Sequence, residues 1–157
     1  MNKNLQYFMR ESAKAESIVS VPGIESIKDE HGEVVPFEVK KLSRKSVQEI
    51  FAKYETQEIV YDANKKPYVV DGEVVCRTKT DHARAVRHLI VEALQYPNLK
   101  DPALMDFFNC YDITDMPLLV FPQADEYAQV VDVVMRTLGL RGASDEQDRE
   151  VSDAKNS

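Results

Sequence analysis

The spacing of apolar residues changes near the middle of the chain. Between residues 18 and 77, short runs rich in β-branched residues alternate with turn-forming residues, a pattern typical of strands and hairpins. Beyond residue 80 the apolar residues recur three and four positions apart, as they do in amphipathic helices. The sequence therefore predicts an α+β fold, with N-terminal β-hairpins, strands confined to residues 18–77, and a mainly helical C-terminal half.

The first predicted hairpin spans residues 18–42. Its two β-rich runs flank Asp29-Glu30-His31-Gly32, a composition suited to reversing the chain. Pro36 should place part of the second strand at a sheet edge, because proline has no N–H to donate to a neighbouring strand. Either a second hairpin or a mobile insertion would fit the three later β-branched runs, at residues 58–61, 68–70 and 73–76.

Serine, aspartate and proline mark the predicted helix starts, since their side chains or backbone angles suit the first turn. One helix begins at Ser43 or Ser46, where Ser46-Val47-Gln48-Glu49 has the form of a capping box. Gly139 follows the last predicted helix in the usual place for a left-handed cap. The remaining predicted helices cover residues 4–16, 80–96, 102–109, 114–121 and 122–138.

The length of 157 residues fits one domain with its own hydrophobic core. Residues 1–140 are predicted to form this single domain. In residues 141–157 the one sizeable apolar side chain is Val151, so this segment cannot bury enough surface to offset its ordering entropy. We therefore expect a disordered C-terminal tail.

Charge and hydropathy exclude several partner classes. The net charge of −7 argues against nucleic acid as a partner, because binding phosphates requires a concentrated basic face. The sequence has no apolar run near the roughly 20 residues that a membrane span needs, and its N-terminus does not have the pattern of a secretory signal. We expect a cytoplasmic protein. Cys76 and Cys110 are isolated and are expected to be free thiols.

Candidate catalytic residues are few. His82 and His88 are six positions apart on one predicted helix and point to different faces, so they cannot share a metal. Asp81 beside His82 could orient a base, or could simply cap a helix. Asp112 and Asp115 are expected to lie in a first helical turn, where the helix dipole favours them. The chain has no nucleotide-binding glycine loop and no nucleophile motif, so we expect neither an enzyme nor a cofactor.

Two apolar segments of the helical half contain more large side chains than short helices can bury alone. They are Ala103–Phe108, with the sequence ALMDFF, and Asp115–Tyr127, with the sequence DMPLLVFPQADEY. Methionine and aromatic side chains often line adaptable peptide-binding grooves, although both segments could instead cap the core. The candidate binding residues are Leu104, Met105, Phe108, Leu118, Leu119 and Phe121.

Several short motifs occur in a recognisable order. Pro36-Phe37-Glu38-Val39-Lys40 precedes a serine-capped helix, Tyr96-Pro97-Asn98-Leu99 forms a turn, and Leu118-Leu119 precedes a helix opened by Pro122 and containing Glu126-Tyr127. Over residues 5–140 this arrangement resembles the XkdN-like family of phage tail-assembly chaperones. Family members often open the last helix with Pro-Gly-Glu-aromatic, whereas this chain has PQADEY there.

The resemblance implies a protein without catalytic activity, made with the tail genes of a phage or prophage in the cytoplasm of the bacterial host. Such a chaperone would bind the tape-measure protein, help the tail-tube protein gather around it, and leave before the particle is complete. The six candidate residues would then bind this client, and self-association is left open. The alternative is a small structural tail component that remains in the particle.

Overall fold

A computed structural model describes residues 4–9 and 17–140 of the chain. It confirms the predicted α+β class, with antiparallel strands first and mainly helices in the second half. Within these residues, two 3-10 helices, Leu5–Phe8 and Ile113–Asp115, accompany the α-helices and strands. In chain order these elements are β1 (Ile18–Val21), β2 (Phe37–Lys40), α1 (Arg44–Ala52), β3 (Glu55–Ile59), β4 (Val69–Val70), β5 (Glu73–Val74), β6 (Cys76–Thr80), α2 (His82–Ala93), β7 (Leu94–Tyr96), α3 (Pro102–Phe107), α4 (Met116–Val120) and α5 (Ala124–Thr137).

Two predicted segments fall partly or wholly beyond this description. The predicted N-terminal helix over residues 4–16 corresponds to the short 3-10 helix at its start, and residues 10–16 lie outside the described residues. The predicted tail, residues 141–157, also lies outside them. Within the described part of the chain, no helix combines the length and the apolar character needed to cross a membrane.

The first hairpin forms as predicted. Strands β1 and β2 pair antiparallel, and the chain reverses at Asp29-Glu30-His31-Gly32. The Asp29 carboxylate accepts the backbone N–H groups of His31 and Glu33 at 2.8 and 3.0 Å, while Gly32 adopts a φ of 77°. Glycine suits that left-handed position because it has no Cβ.

The third strand of this sheet corrects two predictions. Strand β2 lies between β1 and β7, so it is central, and Pro36 precedes it instead of placing it at an edge. Strands are also not confined to residues 18–77, because β6 extends to Thr80 and β7 lies beyond α2. Leu94 continues the helical spacing of α2, but there the chain becomes extended and pairs with Val39.

Residues 55–80 form an arm made of two two-stranded sheets, hereafter the β arm. Strands β3 and β6 make its base and β4 with β5 its tip, so the hairpin alternative is the one that the structure adopts. The arm is anchored where the backbone N–H of Asp81 donates to the carbonyl of Tyr54 at 3.0 Å. It presents a set of exposed large apolar side chains, namely Ile59, Tyr61, Tyr68, Val69, Val70 and Val74.

Polar side chains set the helix starts. Ser43 caps α1, since its Oγ accepts the N–H of Ser46 at 3.1 Å, and the predicted capping box at Ser46 is therefore wrong by one turn. Asp81 and Asp101 cap α2 and α3 through their carboxylates. Gly139, with a φ of 74°, follows α5 as predicted.

Helix α2 is central to the core. Its residues take part in both buried clusters, one against the three-stranded sheet and one against α1 and α5. In the first cluster the rings of Phe37 and Phe121 meet edge to face, with centroids 5.9 Å apart. The second cluster consists of Ile50, Leu89 and Met135. The packing thus brings α1, α2 and α5 together on one side of the domain.

Candidate functional site

A chain of polar contacts links Tyr54, which follows α1, to α2. The hydroxyl group of Tyr54 lies 2.5 Å from Nδ1 of His88, whose Nε2 lies 3.4 Å from a carboxylate oxygen of Glu92. Burial raises the pKa of the Tyr54 hydroxyl. Burial opposes ionisation of Glu92, but the hydrogen bonds and charges of Lys100 and His88 together outweigh it and hold the pKa of this carboxyl below its usual value. Each group has a partner, which indicates a structural network.

The other candidate chemical groups lie apart from one another. His82 follows the Asp81 cap, is exposed, and contacts the ring of Phe51 with centroids 6.1 Å apart, as expected of a cap followed by an exposed histidine. Cys76 and Cys110 are free thiols, as predicted. Across residues 4–9 and 17–140, no three His, Cys, Asp or Glu side chains form a group that could hold a metal ion.

Asp112 caps the 3-10 helix Ile113–Asp115, so it precedes the first turn in which the sequence predicts it, whereas Asp115 lies in that turn. The Asp112 carboxylate accepts the backbone N–H and the hydroxyl of Thr114 at 2.9 and 2.7 Å, and Arg84 donates to it at 2.8 Å. The hydrogen bonds from Thr114 are the main reason that the pKa of this carboxyl lies below its usual value. Arg87 donates to the carbonyl of Thr114 at 2.8 Å, so two arginines of α2 fix this turn.

An apolar groove opens between α1, α2 and α5. Its volume is about 690 Å³, and none of the residues that line it carries a fixed charge. They are Val47, Gln48, Phe51, His82, Ala83, Val86, Tyr127, Val131, Met135 and Leu140. We refer to this feature as the α1/α2/α5 groove.

Helical periodicity explains why these side chains converge. Val47 and Phe51 are one turn apart on α1, and Tyr127 and Val131 are one turn apart on α5. The buried cluster of Ile50, Leu89 and Met135 holds the three helices together. Burial raises the pKa of the Tyr127 hydroxyl. The three apolar stripes meet in the core, and their outer members remain partly exposed.

The predicted binding residues fall into three groups. Leu118 and Leu119 are 44% and 37% exposed, whereas Phe121 is 1% exposed and belongs to the core. Leu104 and Met105, with Phe108, are half-buried against the core. The structure brings three of the six together, because Phe108, Leu118 and Leu119 line a depression of about 510 Å³ that also contains Asp112 and Asp115.

Residues 5–155 match the family described as phage XkdN-like tail assembly chaperone protein. The chain belongs to this family. The resemblance seen in the sequence is thereby confirmed, and an assembly chaperone family points to a non-enzymatic role. The crystal structure of the protein YqbN is similar, with a TM-score of 0.66 and 20% identity over 90% of this chain and 100% of that chain. Among curated proteins, none matches.

For a tail assembly chaperone, apolar surfaces are the features to compare. The depression beside Leu118 and Leu119 is the smaller surface, and it includes two carboxylates. The α1/α2/α5 groove is larger, is without fixed charge, and is not among the predicted sites. Most of the groove residues lie in predicted helices, but helical spacing does not show whether another element covers them.

Proposed function

We propose that this chaperone binds an amphipathic helix of the tape-measure protein in the α1/α2/α5 groove. The observation that carries the proposal is the α1/α2/α5 groove itself. It is apolar, lies between three helices, and is lined by no residue with a fixed charge. An amphipathic helix that lays its apolar side chains into such a groove removes them from water, which is the main source of affinity in this mode of recognition. Binding of this kind requires no catalytic group.

The surroundings of the groove support a longer client segment. Phe51 and His82 line the groove next to the base of the β arm, which Tyr54 and Asp81 anchor. The exposed apolar side chains of the β arm would offer further contacts to a client that continues past the groove. Leu118 and Leu119, together with Phe108 in the same depression, form a separate second contact in this proposal.

The proposed role follows from the needs of a long apolar client. While the chaperone covers its helices in the cytoplasm of the bacterial host, the tape-measure protein is kept from aggregating. The tail-tube protein then gathers around the client, and the chaperone leaves before the particle is finished. The net charge of −7 favours this role, because like charges on neighbouring complexes oppose non-specific association.

Co-expression and particle analysis test the role. The tape-measure protein should be recovered in the soluble fraction together with the full-length chaperone, and should precipitate without it. Mass spectrometry of purified particles should then detect the tape-measure protein and not the chaperone. Stoichiometric chaperone in finished particles would instead support the alternative, a small structural component of the tail.

A further inference from the structure

The N-terminal segment, residues 4–9, exposes an unusual number of apolar side chains. Leu5, Tyr7, Phe8 and Met9 are each between 64% and 80% exposed, and no residue of this segment is charged. A short 3-10 helix, Leu5–Phe8, holds three of them close together. A contiguous apolar group of this kind on a protein surface usually marks a contact site.

The α1/α2/α5 groove has matching chemistry. It is open, apolar and without fixed charge, so an uncharged apolar segment can enter it without burying an unpaired charge. Within residues 4–9 and 17–140, every copy therefore carries both an exposed apolar segment and an open apolar groove.

The attachment point of the segment lies near the groove. The described chain resumes at Ser17, whose carbonyl accepts the backbone N–H of Lys41 at 2.8 Å. Two residues later Ser43 caps α1, and its carbonyl accepts the N–H of Val47, a groove residue, at 3.1 Å. Residues 10–16 are seven in number, so they can span at most about 25 Å. In a twofold pair whose grooves face each other, the segment of each copy would therefore lie within reach of the partner's groove.

We propose that residues 4–9 of one copy bind in the α1/α2/α5 groove of a second copy. Within its own chain the segment is exposed, whereas a twofold pair can exchange segments and satisfy both exposed surfaces at once. The reciprocal exchange gives a closed dimer. The same groove is the proposed client site, so client binding and dimerisation compete, but the dimer itself requires no client.

Sedimentation velocity over a range of protein concentrations tests the dimer. The wild-type chain should dimerise, and Phe8→Asp should raise the dissociation constant by about tenfold or more, because its carboxylate would have to be buried in the groove. Phe107→Asp is the matched control, since Phe107 is 77% exposed and lies outside the groove, and it should dimerise like wild type. A monomeric wild-type chain, or a Phe8→Asp variant that dimerises normally, would overturn the proposal.

Disulfide trapping identifies the partner groove. Cys76 and Cys110 are first replaced by serine, which removes both native thiols. Copies with Gln6→Cys are then mixed with copies with Gln48→Cys, a groove position, and should form mixed disulfide dimers on oxidation. Copies with Gln129→Cys, an exposed α5 position outside the groove, should not form them with Gln6→Cys copies.

Two results of the trapping would contradict the proposal. A disulfide that forms only within single chains carrying both Gln6→Cys and Gln48→Cys would show that the segment occupies its own groove. Equal trapping at Gln48 and Gln129 would show that it has no preferred site. Because neither experiment contains a client, these outcomes are independent of whether the groove binds the tape-measure protein.

Discussion

The hydroxyl group of Tyr54 lies 2.5 Å from Nδ1 of His88, and this contact joins the end of α1 to the buried face of α2. The His88 ring is 7% exposed, and its other nitrogen lies 3.4 Å from the carboxylate of Glu92. Tyr54 also anchors the base of the β arm through its carbonyl. Tyr54 and His88 therefore connect the β arm and the end of α1 to α2.

Removing the Tyr54 hydroxyl should destabilise the domain. Tyr54→Phe keeps the ring but leaves Nδ1 of the buried His88 without its partner, which should lower the free energy of unfolding by about 1–3 kcal/mol. Urea denaturation measures this change. Tyr61→Phe, at an exposed position of the β arm, should change the free energy of unfolding by no more than about 0.5 kcal/mol. Equal effects of the two substitutions would argue against a stabilising contact.

The carboxylate of Asp112 should make stability depend on acid pH. Because its pKa is lowered on folding, its stabilising contribution is present above the unfolded pKa of about 3.9 and is lost as the pH falls through the folded pKa. Asp112→Asn should therefore be less stable than wild type at pH 7, and this difference should shrink as the pH falls below about 4. Thermal unfolding at several pH values measures this difference in stability. Asp106→Asn, at an exposed position, is the control. A difference that does not vary with pH would contradict the prediction.

Phe121 and Leu119 should respond differently to truncation. Phe121 is buried and packs edge to face on Phe37, so Phe121→Ala should cost about 3–5 kcal/mol of stability. Leu119→Ala removes a partly exposed side chain and should cost less than about 1.5 kcal/mol, while weakening capture of the tape-measure protein. Denaturation and co-precipitation separate the two effects. If Leu119→Ala leaves capture unchanged, this part of the predicted surface does not bind the client.

Local sequence features predicted the elements that depend on neighbouring residues. The Asp29 turn, the aspartate-marked starts of α2 and α3 and the predicted helix over residues 122–138 each follow from a few positions along the chain. Strand β7 could not be predicted in this way, because Leu94 fits a helical stripe equally well. Its strand conformation depends on pairing with Val39, a residue far away in the sequence.

The binding surfaces were harder to predict for a related reason. Periodicity shows which side of a helix is apolar, but it does not show whether another element covers that side. It therefore could not show that the outer apolar residues of α1 and α5 line an open groove. Within a helix as short as Met116–Val120, spacing could not separate exposed Leu118 and Leu119 from buried Phe121, which follows the helix.

The most direct test of the proposed function places a charge in the groove without removing any packing. Ala83 is exposed, lines the groove, and lies in the first turn of α2, where a glutamate suits the helix dipole. Ala128→Glu is the matched control, because Ala128 is exposed on α5 outside the groove. Circular dichroism and thermal unfolding should show both variants folded like wild type.

The measurement is the affinity of each full-length variant for a fluorescently labelled helical fragment of the tape-measure protein, followed by anisotropy. Ala83→Glu should weaken binding by about tenfold or more, since the carboxylate would face the apolar side of the client helix. Ala128→Glu should bind within about twofold of wild type, because its side chain stays in water. If Ala83→Glu binds the fragment as tightly as Ala128→Glu does, the α1/α2/α5 groove is not the client site.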